Sequence, residues 1–483
     1  MKRDITPFLA LLGDVPVVTD PEQVRRRSRD MTAHFSPVMK QDALEHVADL
    51  VVRPRDKADV LRVAAAAASA RMPLLMRGAG TCNFGQGIPL HGGALVDMTA
   101  LKRVLWTRPG AVRAEAGARL QAIDEVTGPQ GGELRMHAST RRVATIGGYI
   151  GGGHAGVGSC TWGILRDRGN ILGMEVVSIE EQPRTVQLTG DCVNLVHHAY
   201  GSNGIVTEVE MPLAPAWPWR EHLVVFPAFE AALRFAQALA SSAGLPTKLI
   251  SVMNARTIRL LQGLRPFGDE GCDGTVLTMV AEPFAASFAA LVAEFGGRIS
   301  AQAAEGRGPW NSPLYEFSWG HARQQAERSQ PGLVTTIGLY LEPDAIGAML
   351  RTHRRLGQDA GMHFEVKRFD GQLGFQGMPL FAYRDAAHLA GVMRGMADDG
   401  AQVANNHTFG VREGGMKPID AQDAAFKQAM DPYGLMNPGK LGVRADADAA
   451  AVAAGADLPT AGWRFRAGQG PVVADAGASG ASH

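Results

Sequence analysis

Three features of the sequence predict an α+β protein built in two parts. Residues 50–76 read as a β-α-β unit: the apolar pair Val51-Val52, an Ala-rich helix opening after Asp56, and the apolar run Met72–Met76. Two dense glycine clusters follow, both before residue 215. From residue 219 the glycine clusters stop and amphipathic helices alternate with strands, which is the pattern of a sheet covered by helices.

Taken in order, residues 1–46 read as a leader segment with mixed helical signals, its basic triplet Arg25-Arg26-Arg27 a solvated face. A first domain is expected over 47–215. Val51-Val52 begins a strand that Arg53-Pro54 closes. Asp56 stands where an N-cap belongs, its carboxylate placed to accept from the first N–H groups of a helix over Ala58–Ala70. The second strand, Met72–Met76, runs into the glycine-rich turn Arg77-Gly78-Ala79-Gly80-Thr81-Cys82-Asn83. Short strand-like runs follow (ALVDM, RVLWT, VRAEAG), separated by Gly and Pro. Then come the cluster ATIGGYIGGGHAG at 144–156 and three further strand-like segments, NILGMEVVSI, RTVQLTG and GIVTEVEMPL.

A second domain is expected over 216–445, with helices in FEAALRFAQALASSAG, SFAALVAEFGG and AIGAMLRTHRRLGQDAG and strands in REHLVVF, LVTTIGLYLE and MHFEVKRF. In the last strand His363, Glu365 and Lys367 share one face, read as solvated. Residues 446–483, mostly Ala, Gly, Asp and Ser, read as a poorly ordered tail.

Composition excludes several functions. Forty-eight basic residues balance 48 acidic ones, so nucleic-acid backbones and anionic membrane surfaces are not expected partners. No stretch approaches the roughly 18 apolar residues of a membrane span, and Asp4, Pro7 and Asp14 interrupt the N-terminal apolar run. Four scattered cysteines form no C-x-x-C pair, no disulfide framework and no metal-ligand spacing, so a cytoplasmic protein without a metal site is expected.

The turn at Arg77–Asn83 lets successive backbone N–H groups approach one anion, because no Cβ intervenes. It lacks the Gly-Lys-Ser/Thr ending of a nucleoside-triphosphate loop. Asn83 also stands where the third glycine of a dinucleotide fingerprint belongs. Two glycine surfaces in one β-rich region suit an extended cofactor, with a pyrophosphate at one and a flat ring system at the other.

The ordered series RGAGT, LVDMTALKRV, VRAEAGARL, ATIGGYIGGG, RGNILGMEVVS, LTGD and YGSNGIVTEVEMPLAP resembles the FAD-binding domain of the vanillyl-alcohol oxidase / p-cresol methylhydroxylase (PCMH) superfamily over about 49–215. The segment Asp431–Leu441 (DPYGLMNPGKL) is similar to that superfamily's closing motif. The resemblance implies a PCMH-type FAD domain of two subdomains followed by an α+β substrate, or cap, domain. It places Arg77, Gly78, Ala79, Gly80, Thr81 and Cys82 in the pyrophosphate loop, and Ala144, Thr145, Gly147, Gly148, Gly151, Gly152 and Gly153 along the pyrophosphate, ribityl chain and flavin edge. His154 joins them as a cofactor contact. Ile205 and Val206 fall on a strand whose backbone meets the cofactor, and Asn437 and Lys440 beside the flavin. Two departures are Gly201–Gly204, shorter than in relatives, and His137–Thr140, where many relatives have a Pro-Ser pair.

Thr81 occupies the position of a tethering His, and Arg141 and Arg142 that of a tethering Cys, so FAD is expected to be non-covalent; a tether from His407 is left open. In this superfamily the second domain covers the substrate side of the flavin and must supply the base. His407, in the polar run Asn405–Phe409, is the first choice with Asn406 beside it, and His321 the second. The plain alternative for any of the 14 histidines is a hydrogen-bonded structural imidazole.

The function expected is FAD-dependent dehydrogenation, as dehydrogenase or oxidase, of a small alcohol, hydroxy acid or aromatic alcohol. The electron acceptor would be oxygen, a quinone or a carrier protein, and a homodimer is an option. The second domain lacks the H-x-x-G-x-G-x-x-H metal pattern of lactate- and glycolate-oxidising relatives. Alternatives are flavin-dependent cyclisation or C–C chemistry, and an FAD-carrying electron-transfer subunit.

Overall fold

A computed structural model describes residues 3–442; the tail expected at 446–483 lies outside them. Strands Leu50–Val52, Ala94–Asp97 and Leu74–Arg77 form a parallel sheet in that spatial order, with Val17–Val18 antiparallel on its outer edge. Helix Lys57–Ala70 crosses between them, and the Asp56 carboxylate accepts from Asp59 N–H at 3.0 Å. Its buried stripe of Val60, Val63, Ala64 and Ala67 packs on the sheet and on Phe8 and Leu12 from the N-terminal segment.

Residues 3–46 are therefore no detached leader. Met31 N–H donates to the Cys82 carbonyl at 2.9 Å, and the Thr32 hydroxyl and Asp30 carboxylate accept from Gly85 and Gly87 N–H at 2.6 and 3.1 Å. Arg27, expected on a solvated face, pairs with buried Asp97.

A second, antiparallel sheet runs Val104–Arg108, Ala111–Glu115, Ile205–Pro215, Gly173–Val177, Thr185–Thr189, and Gly132–Leu134 pairs with the far end of Ile205–Pro215. The second glycine cluster is helical, Ile146–Gly152. Glycine costs helix stability of about 1 kcal/mol, and tertiary contact supplies the reason for accepting it. A Cβ on Gly147 would stand 2.7 Å from the Ala116 Cβ and 2.8 Å from its carbonyl oxygen.

The second lobe is an eight-stranded antiparallel sheet, ordered Arg298–Ala304, Trp219–Phe226, Gly274–Ala281, Thr247–Asn254, His363–Phe369, Gln372–Gly377, Ile337–Leu341, Gln402–Ala404. Helices Phe229–Ser241, Ala285–Glu294, Ala345–Leu356 and Ala386–Asp398 cover one face through a core that includes Phe226, Phe235, Phe288 and Phe364. The opposite face meets the first lobe: Gly158 N–H and the Thr161 hydroxyl donate to the Lys248 and Thr247 carbonyls at 2.7 and 2.5 Å. His363, Glu365 and Lys367 lie on this inner face, each 0% exposed. Their expected solvated face is instead buried between lobes, because strand alternation shows which residues share a face and not what covers it.

The chain end returns to the first lobe. Helix Ala421–Met430 opens on a capping box between Asp420 and Asp423, Ile179 N–H donates to the Met430 carbonyl at 2.7 Å, and Leu74 N–H to the Leu435 carbonyl at 2.8 Å. This last part of the expected second domain is thus a structural part of the first. Among the described residues, no helix is long and apolar enough to cross a membrane.

Candidate functional site between the lobes

A cleft of about 370 Å³ runs between the lobes, and its first-lobe wall includes Arg77 through Phe84 and, except for Ile150, Gly147 through Gly156. The two glycine segments touch: a Cβ on Gly78 would stand 2.0 Å from the Thr145 Oγ1, whose hydroxyl also caps the helix by accepting from Gly148 N–H at 3.3 Å. Gly80 takes φ +71°, and the Arg77 side chain folds over it while donating to the Arg29 carbonyl at 2.8 Å. Burial pulls the Arg77 guanidinium below its usual range and pushes the Cys82 thiol up to about 12, which makes that thiol a poor nucleophile.

Arg77, Gly78, Ala79, Gly80, Thr81, Cys82, Ala144, Thr145, Gly147, Gly148, Gly151, Gly152, Gly153, His154 and Val206 all line this cleft. Ile205 does not. It points the other way along its strand into the apolar core, 0% exposed. Asn437 and Lys440 stand behind the wall and brace it: the Asn437 amide donates to the Tyr200 and Gln86 carbonyls at 2.6 and 3.2 Å, and Lys440 Nζ to the Gly85 carbonyl at 2.5 Å. Burial pulls the Lys440 ammonium down to about 7, against the opposing pull of Asp30.

The expected base His407 is displaced from this site. Its Nε2 donates to the Thr335 carbonyl and its Nδ1 accepts from the Ser36 hydroxyl, both at 2.8 Å, so the lone pair a base needs is already used. Neighbouring Asn406 donates to the same carbonyl at 3.2 Å. Neither residue lines the cleft. Burial pushes the His407 pKa down to about 4, below the roughly 6.5 of an unfolded chain. The unfolded state therefore takes up its proton first, and stability that is full above about pH 6.5 is lost as pH falls toward 4. His407→Ala should cost about 1–3 kcal/mol in thermal unfolding at neutral pH by orphaning its two partners, and should make that acid loss shallower. It should leave flavin reduction far short of the roughly 100-fold slowing that removal of a general base causes.

His321 does line the cleft, on helix Trp319–Ser329. Its Nδ1 lies 2.7 Å from Glu316 Oε2, so the carboxylate holds the ring in the tautomer that leaves Nε2 as the acceptor. The start of that helix is held by Glu365: its Oε1 accepts Trp319 N–H at 2.6 Å, His363 Nε2–H at 2.7 Å and the Ser251 hydroxyl at 3.0 Å.

Among the described residues, buried polar atoms on the cleft wall without a hydrogen-bond partner in the protein include Asn83 Oδ1, Ser139 Oγ, Tyr149 O–H and Trp319 Nε1. Buried polar groups are rarely left so, and together with a wall of bare glycine backbone they fit a long polar-and-planar ligand.

Residues 48–182 match a family described as an FAD binding domain. Residues 48–182 thus carry an FAD binding domain. The glycolate oxidase subunit GlcD of Escherichia coli is 29% identical over 177 residues, 35% of this chain and 35% of that protein. The D-2-hydroxyglutarate dehydrogenase of Escherichia coli is 35% identical over 151 residues, 29% of this chain and 14% of that protein. The chain thus matches about a third or less of the length of these relatives. The fold likeness extends further: an alkyldihydroxyacetonephosphate synthase superposes with TM-score 0.69 at 14% identity, covering 91% of this chain and 86% of its own. A 4-ethylphenol oxidase from Gulosibacter chungangensis gives TM-score 0.64 at 18% identity, covering 90% and 96%.

The unpartnered atoms and the glycine walls of the cleft fit FAD. Several of its supports were not singled out from the sequence. His197 Nε2–H and His198 Nδ1–H donate to the Gly153 carbonyl at 3.0 and 2.9 Å and fix the end of the glycine helix. Phe35 and Phe84, edge to face at 5.2 Å, line the cleft, as do Gln324, Gln376 and Met378. The adjacent His197-His198 pair was the one visible signal; the others have no local pattern.

Proposed function

We propose that the protein is an FAD-dependent oxidoreductase, dehydrogenase or oxidase, that dehydrogenates a hydroxyl-bearing carbon of a small organic substrate. The observation that carries this reading is that His321, oriented by the Glu316 carboxylate, opens into the same cleft as the two glycine surfaces. FAD bound there supplies a hydride acceptor. His321 Nε2 takes the hydroxyl proton, and Glu316 stabilises the imidazolium that results, the role a carboxylate plays behind a catalytic histidine. The half-buried Trp319 and buried Met378 exclude water from the substrate end. Similarity to proteins named for glycolate and 2-hydroxyglutarate supports chemistry at a CH–OH group. Electrons leave to oxygen, a quinone or a carrier protein.

Anaerobic bleaching of the flavin by alcohols and hydroxy acids tests this reading. If no member of either class bleaches a flavin that dithionite does reduce, the protein is instead an electron-transfer subunit.

FAD is held without a covalent bond in this reading, since Thr81 stands at one tether position and Arg141, paired with Asp124 at 2.9 Å and Glu305 at 3.3 Å, at the other. Acid precipitation of the yellow protein should leave all the flavin in the supernatant. Flavin sedimenting with the denatured chain would show a tether.

A further inference from the structure

Beneath the second-lobe wall of the cleft lies a buried ionic row on strand His363–Phe369 that the proposed reaction does not yet use. Glu365 holds the helix of His321, as described above. Lys367, two residues along on the same face and 0% exposed, donates from Nζ to Gln376 Oε1 at 2.8 Å. Gln376 lies on the neighbouring strand directly opposite Glu365, lines the cleft and is 5% exposed.

The two ends of a glutamine amide are hard to tell apart by shape alone, and their orientation is assigned from partners. Here the partners decide it. Lys367 Nζ donates to one end and the Met378 sulfur, an acceptor, faces the other, so the atom facing Lys367 is the carbonyl oxygen. The NH₂ group must then point away from the lysine, toward the cleft. One side of it meets the Met378 sulfur at 3.5 Å, a weak acceptor, and an amide nitrogen carries two N–H bonds. A buried ammonium is expensive to keep, and burial pulls Lys367 well below the usual lysine range. Held against the amide oxygen, it polarises the amide and strengthens its N–H as a donor.

We infer that Gln376 is the donor that seats the reacting oxygen of the substrate, that Lys367 is the positioning residue that turns its amide to do so, and that the substrate is an uncharged alcohol with an apolar body. This rests on the oxidoreductase reading and deepens it. The last part follows from the lining of the substrate end. Trp319, Ile337, Met378 and Phe35 line the cleft together with Gln376 and His321, and among the described residues lining the cleft the one Lys or Arg is Arg77, in the first glycine turn. A carboxylate buried in such a wall would need a charge-assisted partner that the lining does not provide.

The test uses the flavin-loaded protein and three variants, Gln376→Leu, Lys367→Met and the double replacement. Binding of 4-methylbenzyl alcohol, 1-octanol, glycolate and 2-hydroxyglutarate is read anaerobically from the flavin spectrum, along with reduction rates and flavin content. Wild type should bind and be reduced by an alcohol and not by either hydroxy acid. Gln376→Leu should weaken alcohol binding about tenfold or more, the loss of roughly 1.4 kcal/mol, at unchanged flavin content. Lys367→Met should weaken it in the same direction, and the double variant should be no worse than Gln376→Leu alone, because the lysine acts through the amide.

Independent, additive losses would overturn the positioning role, as would alcohol binding indifferent to Gln376→Leu. Reduction by a hydroxy acid and by neither alcohol would overturn the substrate class and leave the oxidoreductase reading standing. Bleaching by none of the compounds would remove both. Should Lys367→Met fail to fold, the Gln376→Leu binding series alone decides the donor.

Discussion

Gly147→Val is expected to yield a colourless protein that takes up no FAD. The added Cβ would sit 2.7 Å from the Ala116 Cβ and 2.8 Å from its carbonyl oxygen, an overlap that one side must relieve. Ala116 cannot readily yield: its N–H donates to the Thr207 carbonyl and its carbonyl accepts Gly147 N–H, both at 2.8 Å. The helix Ile146–Gly152 would have to shift as a body, and with it Thr145, against which Gly78 of the first glycine turn is packed. One substitution thereby displaces both cofactor surfaces.

Gly151→Val separates cofactor contact from this packing effect. A Cβ at Gly151 meets nothing nearer than the Gly201 nitrogen at 3.8 Å, so the empty fold tolerates it, yet Gly151 lines the cleft. Loss of flavin in both variants, measured as the ratio of flavin to protein absorbance, with the far-ultraviolet dichroism of the second lobe retained, supports the cleft as the FAD site. Full flavin occupancy in Gly151→Val would place the cofactor elsewhere.

His321→Ala should slow reduction of the bound flavin by substrate about 10²–10⁴-fold at unchanged FAD content, the range that removal of a general base produces. Rapid-mixing reduction under anaerobic conditions reads it directly. Glu316→Gln should cost less, because an amide still accepts from Nδ1–H but no longer stabilises the imidazolium. A His321→Ala enzyme reduced at the wild-type rate would move the proton acceptor off this histidine. The contrast with His407→Ala makes the pair informative: one should damage chemistry and spare stability, the other the reverse.

Much of the first lobe was legible because its signals are local. Asp56 announces the helix start by its side-chain chemistry, and alternation along Ile205–Pro215 announces a strand with one buried face. The glycine clusters announce a close backbone approach, since little else justifies losing so many side chains in a folded region. From these the α+β class and a surface suited to an extended cofactor could be read; the assignment of the glycine segments to FAD came from the family resemblance.

What tertiary structure alone decided is which side chains from distant segments meet. His407 stands in the more polar sequence surroundings, Asn405-Asn406-His407-Thr408, and His321 follows the aromatic Phe317 and Trp319. One has both nitrogens consumed, by Ser36 at 371 residues' separation and by the Thr335 carbonyl, while the other opens on the cleft. The row His363, Glu365, Lys367 alternates as any solvated strand face would, and it is buried because the first lobe lies on it. Residues 3–46 carry no mark of belonging to the FAD lobe, yet Phe8 and Leu12 sit in its core. Periodicity along a chain records how each element divides its own faces; what covers a face is set by segments hundreds of residues away, through packing that leaves no local trace.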